Sequence, residues 1–446
     1  MERSIMKDLI HWKNSKYRKP LILNGARQVG KTWILEEFGR LHFENTAYFN
    51  LDQNPDYIQF FEITKDPFRI LQNLSMISGQ VINENTTLII IDEIQKSDEA
   101  INSLKYICER ANNYYVVSAG SLLGITLSKP ASFPVGKVDL LDMYPMTFSE
   151  FLMANGDTHL SQYINSYSCI EPIPNAFFNN LYEKMKMYYL TGGMPESVKI
   201  WVNDRDSKQM QITQSSILRA YERDFAKYPE VRDFPKISMI WNSLPSQLSR
   251  ENKKFLYKAV KEGARAREYE DALQWLIGAG LVYKIYRSSA PSLPLSACDD
   301  MSAFKIYLLD VGLLSRFAGL APTIFAEDNR LFTEFKGALS ENYILQSLIS
   351  QYEFLPRYWT QENPKHEVDF MIQHDNYIIP IEVKAEDNIK SKSLRIYGEK
   401  YKDKTPLKVR FSMANLKLDG DVLNIPIFLA DHAKALIKIA LNDTNK

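Results

Sequence analysis

Cysteine is scarce: Cys108, Cys169 and Cys298 are three in 446 residues, odd in number and far apart. That excludes a disulfide framework and a cysteine zinc site, and leads us to expect a reducing, cytoplasmic setting. The six histidines (His11, His42, His159, His366, His374 and His432) lack metal-ligand spacing. No uninterrupted apolar run is long enough to span a bilayer, so no membrane association is expected. Met1 to Lys19 is rich in charge and lacks the apolar core of a signal peptide. Net charge is also missing: Lys plus Arg total 54 and Asp plus Glu total 54. A nucleic-acid partner would therefore need a local basic patch. There is no internal repeat and no low-complexity segment. What remains is ordinary globular composition, in a chain long enough for two or three domains.

One stretch organises the rest. Gly25-Ala26-Arg27-Gln28-Val29-Gly30-Lys31-Thr32 fits G-x-x-x-x-G-K-[ST] in full. The apolar run Leu21-Ile22-Leu23 precedes it and reads as a buried strand. Trp33 to Phe38 follows with helical spacing of apolar residues. Strand, glycine loop and helix form the context that makes the pattern a phosphate cradle. The two glycines let successive N–H groups turn inward, and the helix N-terminus adds partial positive charge. Lys31 would reach the β- and γ-phosphates of ATP, and the Thr32 hydroxyl would ligate Mg²⁺.

A second signal lies about sixty residues on. Leu88-Ile89-Ile90-Ile91 ends in Asp92-Glu93, as a doubly buried parallel strand would, with both carboxylates at the sheet rim. Asp92 would hold Mg²⁺, and Glu93 would orient and deprotonate the water attacking the γ-phosphate. Thr46 to Asp52 and Tyr114 to Val117 read as further strands, and Lys137 to Met143 as the last of the sheet. The Tyr114–Val117 strand runs into Ser118 and Ser121. In related folds a polar residue there lies between the two motif strands and senses the γ-phosphate. Either serine suits that role, or a turn that satisfies its own hydroxyl. Thr147 and Glu150 have capping-box spacing.

Gly25–Thr32, Leu88–Gln95, Ser118–Gly124 and Pro145–Phe151 together resemble the AAA-type ATPases that carry a domain of unknown function 4143 at their C-terminus. The resemblance continues through Gly192-Gly193-Met194-Pro195, Asp310-Val311-Gly312-Leu313 and the C-terminal region, so it covers nearly the whole chain. It implies an ATP-binding, Mg²⁺-dependent ATP-hydrolysing domain. The chain departs from the family at Ala119, where threonine is common, and at Lys137, where arginine is common, so no arginine finger is assigned there. Arg219 and Arg223 would suit action on a neighbouring subunit in a homo-oligomer, but a solvated helix face explains them better.

Lys253 to Tyr286 reads as helix (Phe255–Val260), turn, helix (Tyr269–Ile277) and strand (Leu281–Tyr286), the layout of a winged helix. Lys253, Lys254, Lys258, Lys261, Arg265 and Arg267 give it a local positive bias. Contact with DNA phosphates and packing against other domains stay open alternatives. Asp310, beside Gly312, reads best as the cap of the following helix.

The C-terminal stretch offers a second constellation. Glu341 to Leu348 reads as an amphipathic helix, and Arg357–Trp359, Val368–Ile372 and Ile378–Lys384 as strands. Pro380 suits an edge or bulge. Glu382 and Lys384 project to one face. This resembles the PD-(D/E)xK nuclease fold. The resemblance implies that Glu341, Asp369 and Glu382 hold Mg²⁺ and that Lys384 positions or activates water, with Gln361 or Glu362 helping. Cleavage, and recognition of a ligand without cleavage, both remain open. Lys390, Lys392, Arg395, Lys400, Lys402 and Lys404 read as a solvated helix face rather than phosphate ligands.

The expected architecture is α/β. A P-loop NTPase domain with a parallel sheet spans 1–155, a helical lid and winged-helix-like module 156–325, and a restriction-endonuclease-like α/β domain 326–446.

Overall fold

The computed structural model describes residues 1–121, 124, 133–226, 234–250, 254–320, 330–361, 366–385 and 391–444. It divides into two compact units: Met1–Tyr144 with Gln274–Leu281, and Pro145–Leu273 with Val282–Lys446.

The first unit is a five-stranded parallel sheet. Its strands are β1 (Leu21–Asn24), β2 (Asn45–Asn50), β3 (Thr87–Asp92), β4 (Tyr115–Ala119) and β5 (Asp139–Asp142), in the order β2-β3-β4-β1-β5. Every residue of β3 is buried, as a strand covered on both faces requires. One side of the sheet packs Ile22, Phe49, Ile89, Ile91 and Val116 against the helices Pro67–Ser78 and Asp98–Arg110 through Ile70, Leu74, Ile101, Leu104 and Ile107. Ser97 caps the second of these helices by accepting from Ala100 N at 3.1 Å. The order leaves β4 between the two motif strands, with Ile22 in register with Ser118 on one side and Ile91 with Ser118 on the other.

The second unit gathers eight strands: β6 (Val282–Ser288), β7 (Asp299–Leu308), β8 (Arg357–Thr360), β9 (Glu367–His374), β10 (Tyr377–Val383), β11 (Lys408–Ser412), β12 (Lys417–Asp419) and β13 (Val422–Pro426). They form one mixed sheet in the order β12-β13-β11-β10-β9-β8-β6-β7. Two strands from the expected middle module therefore belong to the same sheet as the C-terminal strands, and the proposed boundary at 325 falls inside one unit. The cause is hydrogen bonding: Arg287 of β6 pairs with Tyr358 of β8. The second helix and the strand of the winged-helix reading are present as Ala266–Gly278 and β6, while its first helix shrinks to Tyr257–Val260. Lys253 lies outside the described residues.

Two local readings change. The helix Arg330–Ile349 is buried on every side from Ala338 to Ile349, not amphipathic. Two of its polar side chains bond to backbone groups of other segments. Asn342 accepts from Leu308 N at 2.8 Å and donates to Leu308 O at 3.0 Å, and Gln346 accepts from Val311 N at 3.0 Å. Pro380 sits in an interior strand, but the ladder from β10 to β11 starts only at Ile381, so the missing N–H falls where the strand has one partner.

Other expectations hold. Thr147 and Glu150 form a capping box. Asp310 caps the helix Val311–Phe317 through Leu313 N at 2.8 Å and accepts from Gly193 N at 2.6 Å, which pins the Gly192-Gly193 loop. Burial raises its carboxyl to about 6, despite the N–H groups of Gly193, Leu313 and Gly312 pulling it down. A folded pKa above the unfolded value of 3.8 means that stability from this group is complete below pH 3.8 and is lost as pH rises through 6. Denaturant melts of the second unit should show Asp310→Asn gaining on the wild type by up to roughly 3 kcal/mol between pH 4 and 7. A constant difference across that range would refute this.

Candidate functional site

The phosphate cradle is built as its sequence demands. Gly30 adopts a left-handed conformation (φ 97°) at the N-cap of the helix Lys31–His42, and Gln28 does likewise (φ 68°). At Gly25 a side chain is impossible, because a Cβ would lie 2.3 Å from Met143 O. Lys31 is buried, and its ammonium donates to Gly25 O and Ala26 O, both at 2.8 Å. Burial lowers it to about 8, against the opposing pull of Glu93 and Asp92. It is thus a cation held inside the loop where phosphates would supply the missing counter-charge.

β3 delivers the second motif to the same place. Thr32 Oγ1 donates to Asp92 Oδ2 at 2.8 Å, so the two predicted magnesium ligands touch. Asp92 is 4% exposed, and its other partners are the Tyr48 hydroxyl at 2.8 Å and Glu93 N at 2.9 Å. Glu93 follows in a left-handed conformation (φ 54°), which costs a residue with a Cβ on the order of 1 kcal/mol or more. Its carboxylate accepts from the Gln95 amide and, at 3.3 Å, from the Ser121 hydroxyl. Of the two candidate serines, Ser121 reaches the motif acid. Ser118 is fully buried and its hydroxyl finds no partner among the described residues.

Sequence reasoning missed three contributors. Arg3 donates to Val29 O at 2.9 Å and Tyr144 O at 2.7 Å, bracing the loop from the N-terminal helix region. Nothing in its local sequence marks it. Tyr48 and Gln95 carried weak signals, as polar residues within or just beyond strands that end at the motif.

In the second unit, Glu341 comes from the helix Arg330–Ile349, Asp369 from β9 and Glu382 from β10. Asp369 accepts from Val383 N at 2.8 Å, and Glu341 accepts from the Tyr307 hydroxyl at 3.2 Å. Lys384 Nζ lies 2.7 Å from Glu382 Oε1, while the buried Glu382 Oε2 has no hydrogen-bond partner among the described residues. Burial, then the charge of Glu341, raises the Asp369 carboxyl well above its usual range. Two further groups join them. Lys305 of β7, fully buried, pairs with Glu367 of β9, and its Nζ sits 4.9 Å from the Tyr358 ring centre. Burial works against its charge, but Glu367, Glu341 and Asp369 more than reverse the effect. A lone lysine in the apolar run Ala303–Leu309 was a signal, since such a cation needs a buried partner. Gln361 donates its backbone N–H to His366 O at 3.1 Å. Glu362 and Lys390 lie outside the described residues.

The two carboxylate sites differ in their fit to a metal. Among the described residues no group of three His, Cys, Asp or Glu side chains is gathered to hold an ion. In the second unit each of the three expected magnesium ligands already has a partner: the Tyr307 hydroxyl for Glu341, Val383 N for Asp369 and Lys384 for Glu382. No step through a metal is derived there.

The parallel sheet, glycine loop and paired motif residues of the first unit fit a P-loop α/β domain. Comparison agrees. Residues 17–152 match a family model described as an AAA domain, 182–323 one described as a domain of unknown function (DUF8612), and 336–428 one described as a domain of unknown function (DUF4143). No curated protein matches the chain. Among solved structures it is similar to a Walker-type ATPase of Pyrococcus abyssi, at 12% identity over 71% of this chain and 95% of that one, with a TM-score of 0.43. It is also similar to AMPPCP-bound DnaA from Aquifex aeolicus, at 12% identity over 61% and 85%, with a TM-score of 0.24. No helix among the described residues is long and apolar enough to cross a membrane.

Because Arg3 ties the cradle from outside the motif, Arg3→Ala should weaken ATP binding about 10-fold. Calorimetric titration of ATP into folded variant and parent measures this; equal affinities would show the brace to be dispensable.

Proposed function

We propose that the first unit binds ATP with magnesium and hydrolyses it, and that the chain works as a nucleotide-switched protein. One observation carries this reading: the Thr32 hydroxyl and the Asp92 carboxylate meet 2.8 Å apart beside the Lys31 ammonium. A magnesium ion arriving with the nucleotide would be held by that pair, and Lys31 would leave its loop carbonyls for the β- and γ-phosphates. The backbone N–H groups of Gly25 to Thr32 would receive the remaining phosphate charge. Glu93 is the general base for the attacking water, and Ser121, within reach of that carboxylate, the group that senses the terminal phosphate. Gln95 and Ser121 both donate to the Glu93 carboxylate and so fix where it stands at the end of its strand.

For the second unit we infer recognition of a partner on a nuclease-like frame. The helix bearing Glu341 followed by the β9–β10 hairpin bearing Asp369 and Glu382 supports the frame. The lysines paired with Glu367 and Glu382 favour recognition over cutting. DNA is the candidate ligand, through exposed Lys258, Lys261, Arg265 and Arg267 and their phosphate contacts. Cleavage by this unit is the rival. It gains if Mg²⁺ or Mn²⁺ supports nicking of DNA that Asp369→Ala abolishes.

Steady-state ATP turnover tests the central reading. Glu93→Gln should lower kcat by roughly 10²–10⁴-fold while ATP still binds. Lys31→Ala should lose binding itself. Unimpaired turnover in Glu93→Gln would remove the assigned base.

A further inference from the structure

We propose that the Lys305 ammonium is a built-in counter-ion that takes the place of a divalent cation in the carboxylate cluster of the second unit, so that this cluster works without metal. Four acids on three elements surround two lysines: Glu367 of β9 pairs with Lys305, whose charge Glu341 of the helix Arg330–Ile349 and Asp369 of β9 also favour, and Glu382 of β10 pairs with Lys384. Acids gathered in a sheet interior require a compensating cation, because their hydration is gone. A metal is one solution. This chain has another.

Lys305 lies on β7, the edge strand, with β6 and β8 between it and β9. Its side chain is 0% exposed, so it cannot extend to solvent as surface lysines do. It crosses over the Tyr358 ring of β8 and ends on Glu367 of β9. Two residues along the same strand, the Tyr307 hydroxyl donates to Glu341. One edge strand therefore supplies both a cation and a proton donor to the cluster. From the other side, Lys384 occupies Glu382 Oε1. A dication placed among these groups would face one buried ammonium and a second at the rim, with little solvent to screen the repulsion. Removing Lys305 would leave acids with an unfilled demand for positive charge and one buried oxygen, Glu382 Oε2, without a hydrogen bond among the described residues.

The proposal rests on the recognition reading of the second unit only in naming the same acids, and its test is separable. Manganese is titrated into the full-length, nucleotide-free chain and followed by electron paramagnetic resonance. An Asp92→Asn background silences the first unit's own metal carboxylate. The parent should bind no Mn²⁺ through the second unit, so adding Glu382→Gln should change nothing. Lys305→Met with Glu367→Gln, which removes the pair together, should gain one Mn²⁺ site at least about 10-fold tighter than anything in the parent. That gain should vanish on adding Glu382→Gln. Mn²⁺ binding by the parent that depends on Glu382 would overturn the proposal, and so would absence of a gain in the folded double variant. Should the double variant fail to fold, the parent titration still decides. Loss of DNA binding alone would overturn the recognition reading and leave this one standing.

Discussion

A carboxylate that leaves water must be given partners, and in the first unit that requirement falls on Asp92. At the end of a strand with no exposed residue, it has to be satisfied from the sides. The Thr32 hydroxyl, the Tyr48 hydroxyl and the next residue's own N–H do so. These three bonds tie together the helix after the cradle, the strand β2 and the turn bearing Glu93. Because β4 lies between β1 and β3, the side chain of Ser121 also reaches this rim. The sheet order is thus what converts two separate motifs into one site.

The second unit obeys the same rule with different means. Asp310, fully buried, is answered by backbone N–H groups from the Gly192-Gly193 turn and from the first turn of the helix Val311–Phe317, and so fixes how the two meet. Lys305 is answered by Glu367 and by the charges of Glu341 and Asp369. Buried ionic groups of this kind stabilise little in net terms, but breaking one partner is severe. They act here as constraints on register: β7 cannot slide along β6 without withdrawing its lysine from the acids.

Much of the first unit was legible in the sequence. Gly25 to Thr32 and Leu88 to Glu93 were readable because a strand, a turn and a helix N-terminus are contiguous in the chain, and local rules govern each. The same holds for the capping box at Thr147 and the cap at Asp310. Harder to read was anything that depends on neighbours distant in sequence. The helix Arg330–Ile349 looked one-sided because its polar residues suggest a wet face; in place, Asn342 and Gln346 spend their amides on backbone groups of other segments. Pro380 looked like an edge residue and stands in an interior strand, at the point where one ladder has not yet begun.

The sequence by itself determined the phosphate cradle, the acids at the end of β3 and the identity of the C-terminal acids, since backbone conformation and residue chemistry over a few positions suffice for each. Tertiary structure alone decided that β6 and β7 join the C-terminal strands in one sheet, and that Arg3 braces the loop from beyond its motif. It also decided that a lysine from the sheet's edge pairs with Glu367, within the field of Glu341 and Asp369, which the resemblance had assigned to a metal. The reason is physical: which charges share a low-dielectric interior depends on strand order, and strand order is a property of the folded whole rather than of any segment.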